Sequence, residues 1–192
     1  MRILIVYGST EGHTRDVSAF VAKLLREDGH EVIVRDSAGK EPPADPSTFD
    51  VIFLAASLHV GRYQAALVEF ARARHEILNA MPSAFVSVSL SAAGENPDDW
   101  EGLQQCVGHF ANETMWTPKA IHHAGGAIRN SQYDFFKRLA IKYIARQRGQ
   151  ETVASRDYDL TDYAALKNFA FAFVNHEIGK HGRGSGALPP TL

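Results

Sequence analysis

The stretch ILIVYGSTEGHTRD, residues 3–16, joins an apolar run directly to a polar turn that contains two glycines. A continuous apolar run such as Ile3 to Val6 is typical of a parallel strand that is covered on both faces. After the turn, apolar residues recur at the spacing of one helix face, at Val17, Phe20, Val21, Leu24 and Leu25. Strand, turn and helix in immediate succession predict an α/β domain.

The same alternation continues along most of the chain. Further strands are predicted at 32–34, 51–56, 84–88 and 120–124, with helices at 64–78, at 97–112 and after Thr161. Asn96-Pro97 has the sequence of a helix N-cap followed by proline at the first helical position. The pattern therefore predicts a doubly wound, five-stranded parallel sheet with helices on both faces.

Two segments depart from this alternation. Residues 127–158 lie between the fifth strand and the last helix, where a short connection would suffice, and we interpret them as an insertion. The last residues, from Gly179 to Leu192, are rich in glycine and proline and are expected to form a flexible tail. The interpretation is a single domain, residues 1–178, followed by that tail.

Composition excludes several classes of protein. The net charge of −2 gives no general affinity for nucleic acid. Cys106 is the only cysteine, so an internal disulfide and a thiolate metal cluster are excluded, and a reducing cytoplasm is expected. No apolar run reaches the roughly 20 residues of a membrane span, and no signal peptide is predicted.

The turn after the first strand has no lysine, yet it is rich in hydrogen-bond donors. Its sequence fits neither the P-loop nor the dinucleotide-binding pattern. The end of the first strand carries hydroxyls rather than the acidic residues that would hold magnesium there. The hydroxyls of Ser9, Thr10 and Thr14, with the amides at a helix N-terminus, suit a phosphate monoester. The alternative is a strand–helix turn whose hydroxyls only cap the helix.

The segment from Ser9 to Thr14 resembles the FMN phosphate loop of flavodoxins. Two further loops follow the third and fourth strands, where a ligand is expected in such sheets. The resemblance implies a flavodoxin-like sheet of order 2-1-3-4-5 and FMN as the cofactor. It implies these cofactor-binding residues: Ser9, Thr10, Glu11, Gly12, His13, Thr14, Ser57, Leu58, His59, Gly61, Tyr63, Ser89, Leu90, Ser91, Ala92 and Ala93.

Other motifs make the resemblance narrower. MPSAFVSVSL (81–90), GGAIR (125–129), the segment 133–144 and GQET (149–152) are similar to the flavodoxin-type, menaquinone-dependent protoporphyrinogen IX dehydrogenases. The resemblance covers residues 2–178. It implies oxidation of protoporphyrinogen IX to protoporphyrin IX in heme biosynthesis, with menaquinone or another quinone as the electron acceptor. The flavin would carry the redox chemistry, so no catalytic side chain is expected.

The insertion contains a predicted basic amphipathic helix at residues 133–148. An apolar stripe that includes Phe135, Phe136 and Leu139 runs beside Lys137, Arg138 and Lys142. Such a helix can lie on an anionic membrane, here the inner face of the cell membrane, or contact the propionates of a porphyrinogen. The alternative is that the stripe packs on the domain and the charges are solvated.

Several single residues are candidates for binding. Tyr63 and His59 are placed to border a flavin ring, and Tyr63 could stack on it; the alternative is a surface loop. The candidates for contact with substrate propionates are Arg62, Arg129, Lys137 and Arg138. His122 and His123 are neighbours in a strand and point to opposite faces, so no metal site is expected.

Two other functions remain open for a chain of this fold. One is a flavodoxin-type electron carrier, although such carriers tend to be strongly acidic and this chain is not. The other is an NAD(P)H:quinone reductase, for which the sequence shows no nicotinamide motif. The sequence leaves the oligomeric state open, a homo-oligomer included.

Overall fold

The computed structural model describes residues 1–41, 44–128 and 158–183. The strands are β1 (Arg2–Gly8), β2 (Glu31–Asp36), β3 (Val51–Ser57), β4 (Ser83–Ser89), β5 (Ala120–Gly125), β6 (Ala127–Ile128) and β7 (Tyr158–Asp159). The helices are α1 (His13–Glu27), α2 (Ala65–Ala73), α3 (His75–Ala80), α4 (Pro97–Thr114) and α5 (Tyr163–Arg183), with 3-10 turns at Pro46–Thr48 and Ser91–Ala93.

Five strands form one sheet of order β2-β1-β3-β4-β5, and every neighbouring pair is parallel. This confirms the predicted fold class. The register pairs Gly8 with Ala56 and Ser89 with Gly125, so the carboxyl ends of β1, β3, β4 and β5 lie along one edge. The loops that follow these strands therefore meet at that edge.

The sheet is covered on both faces, which explains the continuous apolar runs. Along β1, Ile3 and Ile5 belong to a core with α1 and α5, whereas Leu4 and Val6 belong to a core with α2 and α4. All four side chains are at most 1% exposed. Full burial of such a side chain contributes about 1.5–3 kcal/mol, so β1 anchors both layers.

The helices after β3 differ from the single helix predicted at 64–78. The helical segment is divided at Arg74, whose φ of −129° is not helical, into α2 and α3. The imidazole Nδ1 of His75 lies 2.8 Å from the carbonyl oxygen of Arg72, in the last turn of α2. This side-chain hydrogen bond satisfies a carbonyl that no longer has a helical partner.

The ends of the later helices follow local capping rules. Asn96 caps α4 as predicted, because its side chain accepts a hydrogen bond from the Asp98 amide. Asp162 caps α5, since its Oδ1 accepts a hydrogen bond from the Ala165 amide at 2.9 Å. Helix α5 continues to Arg183 and so includes the first residues of the stretch predicted as a tail.

Within the described ranges, no helix combines the length and apolar character that crossing a membrane requires.

The predicted insertion begins and ends in a small antiparallel hairpin that the sequence did not indicate. Strand β6 pairs with β7, with Ala127 opposite Asp159 and Ile128 opposite Tyr158. The amphipathic helix predicted at 133–148 lies outside the described residues. The two ends of the insertion therefore leave the domain side by side, next to β5.

Candidate functional site

The loop after β1 turns sharply before α1. Gly12 has a φ of 85°, a left-handed conformation that glycine adopts without the steric cost of a β-carbon. The Ser9 hydroxyl accepts a hydrogen bond from the Gly12 amide at 2.9 Å and holds the turn in place. The first amides of α1 therefore point into the space above β1, where the positive end of the helix dipole favours an anion.

Thr14 and His13 are buried at the start of α1. Thr14 is completely buried, and its hydroxyl has no hydrogen-bond partner among the described residues. His13 is 6% exposed, and its Nε2 lies 2.9 Å from the Thr161 hydroxyl. An orphaned hydroxyl inside a helix N-terminus is costly unless a ligand accepts its hydrogen, so this loop fits a phosphate group.

Gln64, the residue before α2, joins two of the loops and was missed by the sequence analysis. Its Nε2 donates to the Thr10 hydroxyl at 3.1 Å and to the Ser57 hydroxyl at 2.6 Å. The interaction with Thr10 spans 54 residues of sequence, and no local pattern marks it. The only early signal was a polar residue directly before an apolar helical segment.

The loop after β3 is a tight two-residue hairpin turn. The backbones of His59 and Arg62 exchange hydrogen bonds of 2.8 and 2.9 Å around Val60 and Gly61. Both turn residues have positive φ, 48° for Val60 and 76° for Gly61. Val60 is 86% exposed at the tip, in a conformation that β-branched residues rarely adopt.

Tyr63 lies in the core, so the predicted stacking on a flavin ring is wrong. Its ring contacts Phe85 and Phe110 with centroid distances of 5.1 Å, and its hydroxyl lies 2.8 Å from the Ser87 hydroxyl. Burial raises the pKa of Tyr63 to about 12. The chain turns inward immediately after the hairpin, because Tyr63 fills the space between the sheet and α4.

The loop after β4 approaches the end of β5 closely. Ser89 accepts a hydrogen bond from the Ala92 amide through its hydroxyl and one from the Gly126 amide through its carbonyl. A β-carbon on Gly126 would lie 3.1 Å from the Leu90 nitrogen, which is tighter than most β-carbon contacts, so glycine allows this approach without a shift of the loop. Trp100 on α4 supports the same loop by donating its indole N–H to the Gly94 carbonyl at 2.8 Å.

These loops enclose one cleft at the carboxyl edge of the sheet. Its lining consists of Ser9, Glu11, His13, Thr14, Ser57, Leu58, His59, Val88, Ser89, Leu90, Gly126 and Ala127. Nine of these were predicted as cofactor-binding, and Val88, Gly126 and Ala127 were not. The predicted residues Thr10, Gly12, Ser91, Ala92 and Ala93 belong to the same loops but are not among these lining residues; the Thr10 hydroxyl is joined through Gln64 Nε2 to the Ser57 hydroxyl, which is among them.

The remaining predicted residues lie elsewhere. Gly61, Arg62 and Tyr63 line a separate groove between α2 and α4, beside the ion pair of Arg72 and Glu113. Arg62 is therefore not among the residues that line the cleft. Arg129, Lys137 and Arg138 lie outside the described residues, and their predicted contacts with substrate stay predictions.

The hairpin of β6 and β7 is tied to the loop after β1. The Thr161 hydroxyl donates to the Gly125 carbonyl at 2.8 Å, and Thr161 is also the partner of His13. Partial burial tends to raise the pKa of the Asp159 carboxyl, but hydrogen bonds from Tyr163 and Thr161 outweigh it and lower that pKa. The start of α1 and the base of the insertion thus form one hydrogen-bonded unit.

The two histidines of β5 do point to opposite faces. His122 stacks on Phe169 of α5, and His123 lies edge-on to Trp100 of α4. Burial lowers the pKa of both side chains, and each faces an aromatic ring. Within the described part of the chain, no three His, Cys, Asp or Glu side chains are grouped as metal ligands.

Known proteins are similar to this chain in sequence and in fold. Residues 4–155 match the flavodoxin domain family. Two relatives named protoporphyrinogen IX dehydrogenase [quinone] are similar over most of the chain. The one from Escherichia coli K12 is 30% identical over 88% of this chain and 93% of its own, and the one from Leishmania major is 29% identical over 90% and 74%.

Solved structures agree on the fold. A short-chain flavodoxin associated with a bacterial microcompartment superposes with a TM-score of 0.52 at 14% identity, covering 92% of this chain and 99% of its own. Rubredoxin oxygen:oxidoreductase from Desulfovibrio gigas gives a TM-score of 0.55 at 10% identity, covering 94% of this chain and 37% of its own. The chain belongs to the flavodoxin domain family, and within it to the group of proteins named protoporphyrinogen IX dehydrogenase [quinone].

Proposed function

We propose that this chain is an FMN-dependent oxidoreductase that oxidises protoporphyrinogen IX to protoporphyrin IX with a quinone as electron acceptor. The observation that carries the proposal is the similarity to the E. coli dehydrogenase, which extends over 93% of that protein. The similarity therefore covers a whole protein of that name rather than a shared cofactor module. An electron carrier of the same fold would need only the module.

The cleft suits FMN through its phosphate end. The Thr14 hydroxyl is buried without a partner among the described residues, the Ser9 hydroxyl holds the turn, and Gly12 directs the first amides of α1 towards the same space. A phosphate monoester accepts hydrogen bonds from all of these donors and benefits from the helix dipole. When bound, FMN supplies the redox chemistry that the side chains of the cleft lack.

The overall reaction is balanced by three quinones. Protoporphyrinogen IX loses six electrons and six hydrogens to become protoporphyrin IX, and three quinones become three quinols. The chain contributes a cleft of neutral walls, Leu58, Val88, Leu90 and Ala127, beside the polar phosphate loop. Apolar walls at one end and hydrogen-bond donors at the other orient an amphiphilic cofactor.

We further propose that menaquinone is the acceptor and that the insertion contacts the substrate. The cations Lys137 and Arg138, with Arg129 at the insertion's start, would pair with the propionates, and residues 133–148 would contact the membrane surface. Arg62 is a weaker candidate, because it lines the groove between α2 and α4. The support for this proposal is the basic and apolar pattern of the segment and its base beside the cleft.

One assay tests the reaction. Purified chain loaded with FMN is mixed with protoporphyrinogen IX and menadione, and porphyrin fluorescence is followed. We expect porphyrin to form in proportion to enzyme and quinone, with little oxidation of NADPH in a parallel sample. Rapid, saturable NADPH oxidation would place the chain among the quinone reductases, and no turnover of either substrate would favour an electron carrier.

A deletion tests whether the insertion is needed for porphyrinogen oxidation. Replacing residues 131–148 by a short Gly-Ser linker should preserve folding and FMN binding, since the five parallel strands are complete without them. Porphyrinogen oxidation should be abolished. Reversing the charges of Lys137, Arg138 and Lys142 should reduce turnover, most strongly at low salt. The matched control is Lys119→Glu at the opposite end of β5, which should change little. Undiminished turnover in the deletion variant would contradict the proposal.

A further inference from the structure

The amide of Gln64 occupies a space that a neighbouring glycine leaves open. A β-carbon at Gly8 would lie 3.0 Å from both Cβ and Oε1 of Gln64. Gly8 ends β1, and Gln64 precedes α2, so the glycine lets the side chain reach between the two strand ends. The amide nitrogen then contacts the hydroxyls of Thr10 and Ser57 at once.

The direction of these hydrogen bonds decides what the two hydroxyls can offer a ligand. A serine or threonine hydroxyl has one hydrogen to donate. Gln64 Nε2 can only donate, so the Thr10 and Ser57 oxygens accept from it and keep their own hydrogens. The Ser9 oxygen likewise accepts from the Gly12 amide and keeps its hydrogen. Three hydroxyls around the phosphate loop are thus set to donate.

From this geometry we infer that Gln64 is a positioning residue that selects a phosphorylated flavin by fixing Thr10 and Ser57 as donors. The inference rests on the proposed FMN site. A phosphate dianion only accepts hydrogen bonds, so oriented donors favour it over the terminal hydroxyl of riboflavin, which both donates and accepts. The fixed orientation of these hydroxyls thus replaces the lysine that binds the phosphate in other phosphate loops.

Gln64→Glu is the sharpest test, because the variant keeps the shape of the side chain and reverses its polarity. A carboxylate only accepts, so it would draw the hydrogens of Thr10 and Ser57 towards itself and turn their lone pairs to the ligand. We expect the dissociation constant of FMN to rise at least about 30-fold, and that of riboflavin to change less than about threefold. Both are measured by quenching of flavin fluorescence on the flavin-free full-length chain.

The added negative charge needs its own control. Charge repulsion fades as salt shortens the screening length from about 10 Å at 0.1 M to about 3 Å at 1 M. Hydroxyl polarity does not depend on salt. We therefore expect most of the loss in Gln64→Glu to persist at 1 M salt. A loss that disappears there would overturn the inference, because charge alone would explain it.

Gln64→Met removes the donor without adding charge. The hydroxyls would then be free to turn either way, and we expect an FMN loss of about three- to tenfold, smaller than that of the Glu variant. Equal losses for FMN and riboflavin in both variants would reduce Gln64 to a shape-filling residue and overturn the inference. So would a Glu variant that binds FMN as tightly as the parent, which would mean that the amide oxygen faces the hydroxyls.

The outcome can be separated from that of the proposed function. Flavin binding is measured without porphyrinogen, so a parent chain that binds FMN but oxidises no porphyrinogen leaves this test intact. A parent chain that prefers riboflavin would overturn the inference before any variant is made. The melting temperature of each flavin-free variant shows whether it is folded. If the Gln64→Glu variant does not fold, the inference is tested with Gln64→Met alone.

Discussion

The loops after β1 and after β3 are neighbours at the same edge of the sheet, yet they treat their polar groups in opposite ways. The loop after β1 leaves the buried Thr14 hydroxyl without a hydrogen-bond partner in the part of the chain that the structure describes. In the loop after β3, the backbones of His59 and Arg62 satisfy each other, and the Tyr63 hydroxyl is satisfied inside the core by Ser87. The Thr14 hydroxyl of the first loop therefore lacks an acceptor among the described residues, whereas these polar groups of the second loop are paired within the protein.

This difference separates binding from stability. Buried polar groups that lack a partner carry a cost that only a ligand relieves, so changes in the first loop should appear in flavin affinity. Changes in groups that are already paired within the protein should instead lower the free energy of unfolding. Gln64 belongs to both loops, because it donates to Thr10 in one and to Ser57 at the start of the other.

The largest effect is expected from Thr10→Ala combined with Thr14→Ala in the first loop. Each hydrogen bond to a charged phosphate is worth about 1.5–3 kcal/mol, so FMN affinity should fall at least about 100-fold. Riboflavin affinity should change little, because it has no phosphate. Titration of both flavins measures this, with Thr48→Ala on the exposed 3-10 turn as control. Equal losses for the two flavins would mean that the loop does not hold the phosphate.

A smaller effect of another kind is expected from Tyr63→Phe in the second loop. The change leaves the Ser87 hydroxyl buried without this partner, so the free energy of unfolding should fall by about 1–2 kcal/mol. FMN affinity should not change. Chemical denaturation and flavin titration measure the two quantities, and Ser87→Ala on top of Tyr63→Phe should cost less than the sum of the single changes. A marked loss of FMN affinity would restore the idea that this ring contacts the flavin.

The smallest effect is a gain in stability at the tip of the second loop. Val60 adopts a left-handed conformation that asparagine tolerates far better, and Asn-Gly is the favoured pair for such a hairpin turn. Val60→Asn should raise the free energy of unfolding by about 0.5–1 kcal/mol, seen as a melting temperature about 1–4 °C higher. Met115→Asn, at the end of α4 with a φ of 57°, is the matched control for strain relief away from the cleft. A lower melting temperature for Val60→Asn would show that the turn is not strained.

The sequence predicts best what depends on neighbours in the chain. The five strands, the Asn96 cap and the opposite faces of His122 and His123 follow from local patterns, and the structure agrees. The strand order and the choice of FMN came from resemblance. Local patterns also marked Ser9 to Thr14, and the structure brings four of these six residues to the cleft wall.

The rest depends on contacts between distant segments. The inward turn of Tyr63 is decided by Phe85, Phe110 and Ser87, which belong to other elements. Gln64 matters only because Gly8 leaves it room and Thr10 lies within reach. The hairpin of β6 and β7 joins segments about 30 residues apart, and its strands are too short for a periodic pattern to indicate.

The hydrogen bond from Trp100 to Gly94 has a consequence for the intrinsic tryptophan fluorescence of the protein. The chain has two tryptophans. Trp116 is fully buried and donates to Ser83 in the core, whereas Trp100 is half-buried beside the loop after β4. Trp116 therefore has the environment of a blue-shifted emitter that reports global unfolding, and Trp100 has that of a redder one that reports movement of the cleft. A Trp100→Phe variant keeps only the unfolding signal, so a comparison of its emission with that of the parent chain separates ligand entry from loss of the core.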